Sequence, residues 1–108
     1  MARYLMIESR DTFDSRDAAR YHAMAAGLAR EGNEVTLFLV QNGVLNARPN
    51  TQAGSLTDAV KAGVTVLADA FSLKERGIDA DRLVAGVKAS PLDTVIDQLA
   101  EGRKALFH

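Results

Sequence analysis

The sequence predicts an α/β domain in which helices cover both faces of a mostly parallel sheet. Three observations carry that prediction. Short apolar runs alternate with amphipathic stretches of helical length along the 108 residues, the pattern left by crossovers between parallel strands. The runs at 35–40 and 64–68 are apolar without alternation, as strands covered on both faces are. Gly32, Gly63, Gly77 and Gly102 close the helical stretches, where a helix C-terminus favours a residue that accepts the left-handed conformation.

Each element follows in order. Tyr4-Leu5-Met6-Ile7 is a short apolar run that gives way to the polar ESRDTFDSRD, and reads as the first strand. Asp14 or Ser15 then caps a helix that reaches about Glu31. On its wheel Ala18, Tyr21, Ala25 and Leu28 share a stripe with Met24 beside it, while Arg16, Arg20, Ala23 and Arg30 fall opposite. The second strand, 35–40, runs into Gln41-Asn42-Gly43 and a loop to residue 50. A second helix is expected over about 52–62, with Ala53, Leu56 and Val60 on one face. The third strand, 64–68, meets Asp69, which stands where a short helix over 70–76 takes its N-cap. Leu83-Val84 reads as a stunted fourth strand. Ser90-Pro91-Leu92-Asp93 offers a cap, a proline and a carboxylate in the order of a helix start, with Leu92, Val95, Ile96 and Leu99 as the apolar stripe that follows. Lys104-Ala105-Leu106-Phe107 is the last strand. The whole is one domain over 1–108, with the second and third strands central.

Composition narrows the function. A net charge of −1 and the absence of any Lys/Arg block leave no field to draw in nucleic acid or an anionic membrane. The chain has no cysteine, which removes disulfides, thiolate nucleophiles and cysteine-ligated zinc. The apolar run before Glu8 is too short for a signal core or a span, so a cytoplasmic setting is expected. There is no GxGxxG, no GxxxxGK followed by Ser or Thr, no GxSxG and no HExxH. No cofactor and no metal is expected.

Ligands of open parallel sheets bind beyond the carboxyl ends of the strands. Three loops leave strands on that edge: 8–15, 41–50 and 68–71. The candidate ligand-binding residues are therefore Gln41, Asn42, Gly43, Asp69, Ala70, Phe71 and Ser72. Simpler roles compete with binding. Asn42-Gly43 is a common turn pair because both residues accept positive φ. Asp69 as a helix cap is worth about 1 kcal/mol. Asp11, Asp14 and Asp17 match no calcium loop and lie among arginines. His22 flanks the stripe of the first helix, where a histidine is usually structural, and His108 would need a neighbouring loop or subunit to hold it.

Three segments resemble the DsrE-like sulfur-relay family: GNEVTLFLVQNGVLNA, AGVTVLADAFSLKERGI and LAEGRKALFH, together with the small-residue helix DAARYHAMAAGLARE. The resemblance implies a three-layer α/β/α domain with a five-stranded sheet. It also implies homo-oligomers, trimers or hexamers, and other sulfur-relay proteins as partners. The family's carriers hold a persulfide on a cysteine after the third strand. Counted back from Arg76-Gly77, that cysteine falls at Asp69, with Ser72 the neighbouring candidate. A carboxylate there is stabilised by the helix dipole but carries no sulfane sulfur. The first reading is thus an oligomeric small-ligand or partner-binding accessory protein. The second is an enzyme or sulfur-handling protein using Asp69 with Ser72, Lys74 or Arg76. The third is a structural oligomer subunit. The small-residue face Ala19, Ala23 and Ala26 is the expected contact for a trimer.

Overall fold

The computed structural model describes residues 1–13, 15–49 and 54–108. Its elements run β1 (Arg3–Glu8), α1 (Arg16–Arg30), β2 (Glu34–Leu39), a 3-10 segment (Gln41–Ala47), α2 (Gly54–Lys61), β3 (Thr65–Asp69), α3 (Ala70–Glu75), β4 (Val87–Ser90), α4 (Asp93–Ala100) and β5 (Lys104–Phe107). The five strands form one parallel sheet in the order β4-β3-β2-β1-β5. Leu37 of β2 stands opposite Val66 of β3 in parallel register. As expected from their unbroken apolar runs, both strands are interior.

The order explains the layers. From β1 to β4 the chain moves one way across the sheet, so right-handed crossovers put their helices on one face. The step from β4 back to β5 runs the other way and carries α4 to the opposite face. On the first face, Met6, Leu37, Leu39, Val66 and Ala68 meet Tyr21, Ala25 and Ala26 of α1 and Leu56 and Ala59 of α2. On the second, Leu5 and Phe38 meet Val95 of α4, with Ile7, Val40 and Leu67 around them only partly covered. Alternate residues of each inner strand thus serve two cores, which is why their sequences do not alternate in polarity. Each fully buried side chain such as Leu5 or Phe38 contributes about 1.5–3 kcal/mol.

Several local expectations are corrected. The fourth strand is Val87–Ser90, not Leu83-Val84. The Val84 N–H instead donates to the Ala47 carbonyl and its own carbonyl accepts from Val87 in a turn. Helix α4 begins at Asp93, later than the cap-proline pattern suggests. Ser90 remains the last residue of β4, and its hydroxyl meets that of Thr94 at 2.7 Å. Of the α4 stripe only Val95 is buried; Leu92, Ile96 and Leu99 stay about half exposed or more. In α1, Met24 is exposed and His22 takes the buried place beside Tyr21. Ala26, expected on the open face of α1, lies in the core. Ser15 is the N-cap residue of α1 but makes no side-chain cap bond, and Asp14 lies outside the described residues, as do residues 50–53 at the expected start of the second helix.

No helix among the described residues is long and apolar enough to cross a membrane.

Candidate functional site

Among the described residues, the eight-residue helix α4 covers the second face and leaves the sheet under-covered beside it. A cavity of about 400 Å³ opens there, lined by Ile7, Val40, Phe107, Leu92, Val95 and Phe71, with Gln41, Asp69, Ser72 and Glu75 as its polar members. That volume and apolar lining match ordinary small-molecule sites. Its place follows from topology. Ile7 lies one residue before the end of β1 and Phe107 ends β5, and between these strands the sheet order reverses, the position where open α/β sheets hold ligands.

The polar end is built by the loops that leave β2 and β3. Asp69 is the N-cap of α3: one carboxylate oxygen, Oδ2, accepts from the Ser72 N–H at 3.1 Å and from the Ser72 hydroxyl at 2.7 Å. The same hydroxyl oxygen accepts from the Gln41 N–H at 2.9 Å. Ser72 therefore ties the end of β3 to the end of β2, and its hydroxyl is satisfied as donor and acceptor. Gln41 holds this position with φ 51°, in the left-handed region that non-glycine residues seldom enter. Asn46 draws in the third loop: its amide donates to the Arg10 and Gly43 carbonyls and accepts from the Thr12 N–H. All three predicted loops meet.

Gln41, Asp69, Phe71 and Ser72 line the cavity; Asn42, Gly43 and Ala70 are not among the lining residues. Asn42 faces outward and accepts from Arg76 through Nε at 3.2 Å and Nη2 at 3.1 Å. The positive φ expected of the Asn42-Gly43 pair belongs to Gln41 instead. Gly43 is buried, and its missing side chain admits β1 rather than a ligand. A Cβ there would overlap the Glu8 carbonyl oxygen and lie 3.0 Å from its carbon. Lys74 is exposed and Arg76 is held by Asn42 and by the Ser72 carbonyl. Neither lines the cavity.

A second polar cluster lies at the ends of β1 and β5. Glu8 is fully buried; its carboxylate accepts from the Arg10 N–H at 2.7 Å and meets His108 Nδ1 at 2.8 Å. Burial pushes the Glu8 carboxyl up, against the opposing pull of His108 and Arg10. His108 stacks on Tyr21 with ring centroids 5.3 Å apart, and Ser9 donates to its carbonyl through both N–H and hydroxyl. Burial, aided by the Glu8 charge and opposed by the Ile7 backbone, raises the Tyr21 phenol to about 12. Its hydroxyl makes no well-formed hydrogen bond among the described residues. His22 is also fully buried, with Nδ1 3.0 Å from the Ser55 hydroxyl and Nε2 without a partner among the described residues. Burial first, and His108 second, lower it to about 4. Sequence reading singled out both histidines but not Glu8, whose only signal was a charge abutting an apolar strand. Among the described residues, no group of three or more His, Cys, Asp or Glu is placed to hold a metal.

The model of the DsrE/DsrF-like family matches residues 2–107. The chain belongs to that family. Among solved structures, the YchN protein of E. coli is similar over all of both chains, with a TM-score of 0.89 at 18% identity. MTH1491 of Methanobacterium thermoautotrophicum, a protein of unknown function, is similar over all of both chains, with a TM-score of 0.79 at 20% identity. BT1422 of Bacteroides thetaiotaomicron, a conserved protein of unknown function, is similar over 98% of this chain and 94% of its own, with a TM-score of 0.78 at 17% identity. These likenesses bear out the five-stranded α/β fold expected from the sequence. No curated protein matches significantly. This DsrE-family chain has no cysteine at any position. At the end of its third strand and in the helix that follows, it presents Asp69 and Ser72.

Proposed function

We propose that this DsrE-family protein is an oligomeric binding or accessory protein, linked to sulfur metabolism, whose cavity takes a small ligand or a segment of a partner. On this reading it is not itself a persulfide carrier. The observation that carries the reading is Asp69 with Ser72 at the polar end of an otherwise apolar cavity, in a chain without a thiol. A carboxylate and a hydroxyl can bind and orient but do not store sulfane sulfur.

Support for assembly comes from the same side of the molecule. Phe71, Leu92, Ile96, Leu99 and Phe107 are exposed, Phe107 at 70% and Ile96 at 61%. Large apolar side chains left exposed on one short helix and at the strand and loop ends beside it support an association site there. Homo-oligomers, trimers or hexamers, are the form proposed, with α4 and β5 at the contact in place of the small-residue face of α1. Other sulfur-relay proteins are the proposed external partners.

The test is incubation of the protein with a cysteine desulfurase and radiolabelled cysteine, followed by non-reducing electrophoresis. The chain is expected to remain unlabelled while a cysteine-bearing control carrier takes up sulfur. Stable covalent label on the chain would overturn the non-carrier reading.

A further inference from the structure

We propose that the cavity is selective for organic cations: an ammonium group carried on a small apolar or aromatic body. The inference deepens the function proposed above and rests on its placement of the ligand site.

The lining contains two carboxylates, Asp69 and Glu75, and no Lys, Arg or His. Basic side chains near the site do not supply the missing charge. Lys74 is exposed outside the lining, and the Arg76 guanidinium is bonded to Asn42 and the Ser72 carbonyl, with Glu75 at 3.8 Å. Asp69 is nine-tenths buried. Its Oδ2 takes both bonds from Ser72, and among the described residues no hydrogen bond to Oδ1 accompanies them. The carboxylate therefore keeps an acceptor for a ligand after its cap is made. The remaining walls are apolar, and two of them, Phe71 and Phe107, are aromatic. Ring faces attract cations through their quadrupole. An anion entering this site would meet Asp69 and Glu75 with no cation to answer it. A neutral apolar molecule would leave the buried carboxylate without a new partner and lose its solvation. A cation with an apolar body satisfies both halves of the lining.

The probes are benzyltrimethylammonium, benzyl alcohol and phenylacetate, which share an aromatic body and differ in charge. Binding is read by NMR titration, following the ring signals of Phe71 and Phe107, and by calorimetry. The expected result is binding of the ammonium at least tenfold tighter than the alcohol, weakened by added salt, with no binding of phenylacetate. Asp69→Asn keeps an oxygen acceptor for Ser72 and removes the charge, and should cost at least tenfold in ammonium affinity. Glu75→Gln, at an exposed position, should cost less. If Asp69→Asn fails to fold, the ranking of the three probes on the unaltered protein still decides the matter. Equal binding of ammonium and alcohol, or tighter binding of phenylacetate, would overturn the charge selectivity and leave the cavity as a ligand site. No shift of Phe71 or Phe107 with any probe would overturn both readings together.

Discussion

Gly43→Ala is expected to destabilise the protein by about 3 kcal/mol or more, at or above the upper end of the range for overpacking a closed site. The added methyl would occupy the space of the Glu8 carbonyl oxygen. That oxygen cannot retreat, because it accepts from the Val40 N–H at 2.9 Å where β1 pairs with β2. Nor can Gly43 move outward without breaking its N–H bond to the Val40 carbonyl at 2.8 Å. The methyl is fixed by its own backbone and the group it meets is backbone, so no rotamer change relieves the contact. The loss should appear as a lower urea midpoint at nearly unchanged slope and a melting temperature lower by roughly 12 °C or more. A variant within 0.5 kcal/mol of the parent (roughly the scatter of neutral surface changes) would contradict the close approach of the 3-10 segment to β1.

Acidification should cost stability through His22. Its folded value of about 4 lies below the ordinary 6.5, so between these values the unfolded chain binds the proton that the folded chain refuses. Stability therefore rises with pH across that window and is fully present above it. The gap, at about 1.4 kcal/mol per unit, is worth about 3 kcal/mol. Glu8 works in the opposite sense. Its raised carboxyl favours the folded state at acid pH and loses that contribution as pH rises through its folded value. The groups that face His22 are the Ser55 hydroxyl and, through space, His108. Comparing the parent with His22→Asn separates the two carriers of pH dependence, since Glu8 is common to both. Urea unfolding at pH 7 and near pH 4 should show the parent losing about 3 kcal/mol more than the variant. Equal losses in the two proteins would show that His22 titrates freely and is not closed into the core.

The layers of this fold were legible in the sequence where burial is two-sided. Val35 to Leu39 and Val64 to Ala68 read as interior strands because both of their faces meet apolar partners. Edge strands were harder. Val87–Ser90 is buried only at its two ends, so its sequence lacks an apolar run, and the turn residues Leu83 and Val84 read more like a strand than the strand does. Strand order is invisible locally, since it depends on which way each crossover turns. The cavity depends on that order, because the reversal between β1 and β5 is what places Ile7 and Phe107 together and leaves one short helix to cover the face. Asp69 and Ser72 were identifiable from their position after β3. The closeness of Gln41 to Ser72 and of Glu8 to His108 joins residues far apart in the chain, and nothing in either local sequence announces it. Gly43 was read as a turn residue and as a ligand contact; its missing side chain instead admits the Glu8 backbone.

The thinly covered face bearing α4, β5 and the cavity is proposed to be a working surface of an oligomer. Native mass spectrometry of freshly purified protein at micromolar concentration addresses it most directly, since oligomer mass and any retained small molecule are read together. The predicted result is a trimer or hexamer that loses mass as a small adduct on activation, with Ile96→Asp shifting the population to monomer. A bare monomer mass with no adduct, unchanged by Ile96→Asp, would contradict the claim.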